Sequence, residues 1–271
     1  MRMDSAVEGA LRRDRWIMLG MLLAVLAASW AYVLSGAGMG MSAIEMTGMS
    51  GMEAMAGMAM TPMAWSPGHA VMMFFMWWIM MVAMMLPGAT PMILLFAAVN
   101  RRQRAQGNPF VPTTLFTASY LIAWAGFSLA ATAAHWGLES GGLIGPDMAV
   151  TSQLVGAGLL IAAGLYQLTP LKRACVRHCR FPAAWLAEYW RPGRRGAVVM
   201  GLHHGAYCLG CCWVLMLLLF FGGVMNLYWI AGLALYVLVE KTVPAGHWLD
   251  YGLAGVLVAA GSWLLIALVA V

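Results

Sequence analysis

The sequence predicts an all-α, polytopic membrane helix bundle of about seven spans with no soluble domain. Three observations carry that prediction. Hydrophobic residues make up 63% of the chain and charged ones only 9%, outside the range of soluble globular domains. Apolar segments long enough to cross about 30 Å of hydrocarbon recur along it. Every Lys and Arg falls on one side of those segments when seven are counted.

The segments are residues 16–34, 70–99, 113–136, 149–168, 197–221, 225–243 and 252–271. The second is overlong, and Pro87-Gly88 with Pro91 is expected to kink or break its later half. The count drops to six if the first segment is a cleaved signal peptide, although its apolar region is long for one. Three regions follow: residues 1–35, a basic segment and the first span; residues 36–69, a loop; and residues 70–271, the bundle, with a Cys-bearing loop at 171–196. No connecting segment is long enough to build a core of its own.

Charge sets the orientation. Arg2, Arg12, Arg13 and Arg15 precede the first span, and Arg101, Arg102 and Arg104 follow the second. Lys172, Arg173, Arg177, Arg180, Arg191, Arg194 and Arg195 lie between the fourth and fifth, and Lys241 ends the sixth. Glu45, Glu53, Glu139 and Asp147 lie on the other side. The positive-inside rule then predicts a multi-pass membrane protein with a cytoplasmic N-terminus and an extracytoplasmic C-terminus. The net charge of +5 thereby reflects topology in the lipid bilayer and needs no nucleic-acid partner, and no nucleic-acid module is present.

The densest chemistry lies in the fifth span, which reads Gly-Leu-His-His-Gly-Ala-Tyr-Cys-Leu-Gly-Cys-Cys over residues 201–212. At 100° per residue, Met200, His204, Cys208 and Cys211 share an arc of about 80° on one helix face, with Cys212 about 40° beyond it. Imidazole, thiolate and thioether suit soft ions, copper(I) first and zinc or another soft metal second. A lone Cys in such a place would read as a small hydrophobe. Several converging thiols beside an imidazole read better as a metal site.

Methionine forms a second theme. Met39, Met41, Met46, Met49, Met52, Met55, Met58, Met60 and Met63 punctuate a Gly-rich loop that has no core for them to fill, so ligation of Cu(I) is the better reading than packing. The second span continues with Met72, Met73, Met76, Met80, Met81, Met84 and Met85. Met73, Met76, Met80 and Met84 share an arc of about 80°, a stripe that on its own reads as core. Met80 is about 16 Å from one end of its span, and His204 and Cys208 about 12 Å and 18 Å from the opposite end of theirs, at 1.5 Å per residue. All three are therefore expected near the midplane.

In the 171–196 loop, Cys175 and Cys179 fall one helical turn apart beside His178, a plausible two-thiolate site. Its basic residues are expected to favour thiolate. Packing at a helix end explains the same residues equally well. Gly156, Gly158, Gly255 and Gly261 are expected to permit close helix approach, Gln153, Gln167, Thr169 and Asn226 to make interhelical or interfacial hydrogen bonds, and Glu240 and Lys241 to pair with each other.

Several stretches together are specific. They are Met76-Trp77-Trp78-Ile79-Met80-Met81-Val82-Ala83-Met84-Met85-Leu86-Pro87, Tyr166-Gln167-Leu168-Thr169-Pro170-Leu171-Lys172 leading to Cys175 and Cys179, His204-Gly205 through Cys208 to Cys211-Cys212-Trp213, Gly223-Val224-Met225-Asn226-Leu227, and Glu240-Lys241. Through these the chain resembles a bacterial family of predicted metal-binding integral membrane proteins, from about residue 70 to 244. The resemblance implies a polytopic membrane protein with a metal site and supplies no reaction. The Met-rich loop lies outside it.

The leading functional expectation is a Cu(I)-handling membrane protein. It would capture the metal ion on the Met-rich loop, bind it at the His/Cys site, and pass it across the membrane or to a periplasmic or cytoplasmic copper chaperone or cuproenzyme. No nucleotide-binding motif and no phosphorylatable Asp motif is present, so the chain is not a self-contained pump. A membrane thiol–disulfide oxidoreductase is the second expectation; adjacent Cys211 and Cys212 point about 100° apart on a helix and cannot bridge undistorted. A purely structural subunit is the third.

The loop reading generates a test. Ordering flexible thioethers around one ion costs about 1 kcal/mol or more per residue fixed, so single Met→Leu changes in the loop should do little. Deletion of residues 39–60 should slow copper acquisition at limiting copper and leave it normal at high copper. A defect of equal size across a copper titration would mean that the loop builds the main site or the fold.

Overall fold

The computed structural model describes residues 2–49, 65–106, 111–145, 148–243 and 248–270. Met52, Met55, Met58, Met60 and Met63 of the Met-rich loop, together with Glu53 and Asp147, lie outside the described residues. The described chain is all-helical: α1 (Arg2–Leu34), α2 (Ala43–Met49), α3 (Pro67–Ala105), α4 (Thr113–Ser140), α5 (Gln153–Gln167), α6 (Pro170–Arg180), α7 (Pro182–Tyr189), α8 (Gly193–Gly222), α9 (Leu227–Thr242) and α10 (Trp248–Val269).

Local sequence explains most helix starts. Ser66 caps α3 by accepting from the His69 amide at 3.2 Å, and Pro67 takes the first helical turn, where its missing donor is not needed. Ser152 accepts from Val155 to start α5, and Thr169 with Pro170 starts α6 in the same way. Asn226 caps α9 through the Tyr228 amide at 3.0 Å. Ser42 and Glu45 form a reciprocal capping box on α2. Backbone bonds from Ser42 hold the exposed Glu45 carboxyl below its ordinary pKa. Thr47 of α2 accepts from the Leu227 amide at 2.8 Å and so ties α2 to the start of α9.

Among the described residues, five helical segments are long and apolar enough to cross a membrane: Trp16–Leu34, Pro67–Arg104, Thr113–Ser140, Gly193–Gly222 and Trp248–Val269. A sixth candidate is the pair α5 and α6, bent by 63° at Leu168-Thr169. The sixth expected segment, 225–243, is α9, a 16-residue helix, shorter than the roughly 20 residues a full crossing needs. The break expected in the second segment is absent: α3 runs as one helix through Pro87 and Pro91. Near those prolines the Thr90 and Tyr120 hydroxyls donate to the Leu86 and Met85 carbonyls.

The core is the contact between α3, α4 and α8, with α6 and α9 closing one end and α5 packed on α10 beside it. Gly201 and Gly205, one turn apart on α8, bring it against α4. A Cβ on Gly201 would lie 2.8 Å from that of Ser119, and one on Gly205 2.6 Å from that of Ala123. This is the small-residue contact by which helices approach in lipid. Of the four glycines expected to do this, Gly261 does so against Ile161 of α5, Gly156 faces Phe221, and Gly158 and Gly255 face open space. Gly164, Gly201 and Gly205 make further close contacts between helices.

Gly201→Val should therefore separate α4 from α8, at about 1–3 kcal/mol for overpacking, with a lowered thermal midpoint of the detergent-solubilised protein. Gly158→Ala should leave the midpoint unchanged. Equal behaviour of the two variants would contradict the packing described.

Candidate metal centre

The α8 face develops much as its period dictates. His204, Cys208, Cys211 and Cys212 are all buried. Cys208 is the hub. Its Sγ accepts from Lys241 Nζ at 2.9 Å and lies 3.1 Å from the Tyr120 hydroxyl. Its carbonyl accepts from the thiols of Cys211 at 3.0 Å and Cys212 at 2.9 Å, the local bond a helical Cys makes to the preceding turn. The Cys212 thiol also reaches Met85 Sδ at 3.8 Å.

Residues 171–196, expected as a loop, form α6 and α7 and fold back, and α6 packs on α8. Gly210 permits the approach: a Cβ there would lie 2.8 Å from Cys175 Sγ. The Tyr166 hydroxyl fastens the same spot by donating to the Gly210 carbonyl. Cys175 and Cys179 are thus buried against α8, and the Cys179 thiol interacts with Cys208 and Cys211. The two sequence clusters form one. The expected activation of these thiols by surrounding basic residues has little geometry behind it, because Arg173 and Arg177 are exposed while the thiols face inward. All five cysteines are free.

His204 packs its ring between Phe116, Tyr120 and Trp185, at 5.7–6.1 Å between centroids, and its buried Nδ1 has no hydrogen-bond partner. Cys208 and Lys241 are within its electrostatic reach. An unpartnered imidazole nitrogen beside a thiol is a donor in waiting. His178 is elsewhere: it stacks on Tyr207 at 4.1 Å and 4° between planes, and its Nδ1 is 2.7 Å from the Ala174 carbonyl. Met200 is also turned away, since its Sδ accepts from the Arg191 amide at 3.4 Å. Met73, Met76, Met80 and Met84 are fully buried in the core. Met85, outside that stripe, is the methionine whose sulfur meets a thiol.

Lys241 and Tyr120 are the other partners that sequence reasoning missed. The expected Glu240–Lys241 pair does not form, and a geometric signal predicted as much, because side chains at i and i+1 on a helix do not face each other. Lys241 runs past Gly88, where a Cβ would sit 3.2 Å from its Cδ, to reach Cys208. Glu240 turns the opposite way and forms an ion pair with the buried Lys172. Lys172 also donates to Gln167, lies 3.7 Å from Asp250 Oδ1 and sits over the Tyr236 ring. Arg180 Nε donates to the Glu240 carbonyl at 2.6 Å. The end of α9 therefore carries two polar clusters back to back.

Among the described residues, no three His, Cys, Asp or Glu side chains stand arranged to hold an ion as they are. The sulfurs are gathered, and their bonds are made to backbone, to one another and to Lys241.

A family model for copper chaperones, PpoB2, matches residues 74–264, from the second turn of α3 into α10. The chain belongs to the PpoB2 copper chaperone family. Neither a curated protein nor a solved structure matches it. The metal expected from sequence is thus narrowed to copper, and the PpoB2 match includes every residue of the thiol cluster and its partners. Met73, α1 and the Met-rich loop precede the matched PpoB2 region.

Proposed function

We propose that this protein is a membrane-embedded Cu(I) chaperone of the bacterial inner membrane, with its N-terminus in the cytoplasm. The Met-rich loop collects the ion, the cluster of Cys208, Cys211, Cys212 and Cys179 with His204 and Met85 holds it, and a partner cuproenzyme or soluble copper chaperone receives it. The observation that carries this reading is the convergence of thiols from α6 and α8 on one buried point, beside a thioether and an unpartnered imidazole, in a copper chaperone family member. Thiolate, thioether and imidazole are the donors that soft copper prefers.

The cluster handles Cu(I) by exchange. In the metal-free state the Lys241 ammonium supplies the positive charge beside Cys208, and the Cys211 and Cys212 thiols rest on the Cys208 carbonyl. Cu(I) takes over the place of that charge. Lys241 withdraws, thiol protons leave, and the sulfurs turn from the carbonyl to the ion. Competition from Lys241 keeps the affinity moderate, which a protein that must release its cargo requires. The buried position of the thiols also weighs against thiol–disulfide exchange with a partner.

The double variant Cys208→Ser/Cys211→Ser should lose tight Cu(I) stoichiometry in competition titrations with a chromophoric chelator. Met200→Leu should retain it. Lys241→Gln should bind Cu(I) more tightly than wild type, because no resident cation has to be displaced. Unchanged copper in the double variant places the site elsewhere, and weaker binding by Lys241→Gln contradicts the exchange.

A further inference from the structure

A second group of donors lies at the other end of α3, far along the chain from the thiols. His69 is in the first turn of α3, and His135 and Glu139 stand one turn apart near the end of α4. Trp65, the first described residue after the Met-rich stretch, sits against both imidazoles, with ring centroids 4.8 Å from His69 and 6.3 Å from His135. Its indole N–H donates to Glu139 Oε2 at 2.8 Å, and the same oxygen lies 3.9 Å from His135 Nε2. His69 lies within electrostatic range of His135.

Two features are not explained by packing. His135 is 2% exposed, its ring held edge-on by Phe220 at 5.8 Å, and its Nδ1 has no hydrogen-bond partner. The buried Nδ1 of His69 has none either. An orphaned buried polar nitrogen is uncommon in a folded protein, and here two of them belong to the imidazoles grouped around Trp65, the residue that also binds the Glu139 carboxylate.

We propose that His69, His135 and Glu139 form a second copper site, for the divalent ion. Two imidazoles and a carboxylate make a nitrogen–oxygen donor set, which suits Cu(II), whereas the thiol cluster suits Cu(I). The donors are neighbours without being preassembled. Rotation of the two rings, which aromatic contacts hold only by their faces and edges, draws them onto the ion. The Trp65 N–H orients the carboxylate as an outer hydrogen bond does for a metal ligand. His69 directly follows the Met-rich loop in sequence, so the nitrogen–oxygen site adjoins the thioethers that suit the reduced ion. The inference rests on copper handling and is independent of the thiol cluster.

Electron paramagnetic resonance of the full-length protein in detergent with one equivalent of Cu(II) tests it. Wild type and Cys208→Ser/Cys211→Ser should both show imidazole nitrogen coupling, and His178→Gln/His203→Gln should retain it. His69→Gln and His135→Gln should each lose it. His69 is partly exposed in a first helical turn, so its variant carries the test where His135→Gln fails to fold. Nitrogen coupling that persists in His69→Gln, that disappears in His178→Gln/His203→Gln, or that is absent from wild type overturns the proposal. None of these outcomes bears on Cu(I) stoichiometry at the thiols.

Discussion

A lysine ammonium buried among apolar helices depends on what it touches. Lys241 is 5% exposed and its recorded hydrogen bond goes to the Cys208 sulfur. Burying a charge without compensation costs several kcal/mol or more, so this contact constrains everything around it. Gly88 of α3 leaves room for the lysine stem, Tyr120 of α4 closes on the same sulfur, and α8 presents that sulfur from its buried face. On the adjacent residue, Glu240 binds Lys172 of α6, with Asp250 of α10 close by. One turn of α9 thereby joins α3, α4 and α8 on one side to α6 and α10 on the other.

The same contact explains why the sulfurs do not form a finished ligand shell. In the absence of an ion, thiols in an apolar bundle satisfy themselves locally, and Cys211 and Cys212 do so on the Cys208 carbonyl. Turning them outward exchanges weak hydrogen bonds for metal–sulfur bonds and requires only side-chain rotation within a fixed helix. Cys179 arrives on α6, a separate helix joined to α5 by a 63° bend. A site shared between two helices can open by their separation, a means that a site on one helix lacks, which fits a carrier better than a permanent cofactor site.

Much of this was legible in residue order. The α8 face followed from the helical period and from the concentration of His and Cys within it, and Ser66-Pro67 and Thr169-Pro170 are ordinary helix starts. What failed was tertiary. The α6 sequence is strongly basic and reads as a solvated loop, yet its inner face folds onto α8 because Gly210 has no side chain there. Met200 shares the α8 arc with His204 but meets the Arg191 amide first. Met85 lies outside the stripe chosen on α3 and reaches Cys212 from a neighbouring face. Lys241 bonds Cys208 and not its sequence neighbour, because adjacent helical residues diverge. The small-residue pair Gly201 and Gly205, at a spacing of four, carries the close approach, whereas Gly158 and Gly255 face open space.

The central claim is that copper is held by the sulfurs gathered at Cys208. X-ray absorption at the copper edge, on protein loaded with one equivalent of Cu(I), reads the donor atoms directly. The account predicts a first shell dominated by sulfur, with at most one nitrogen from His204. A first shell dominated by nitrogen or oxygen would contradict it.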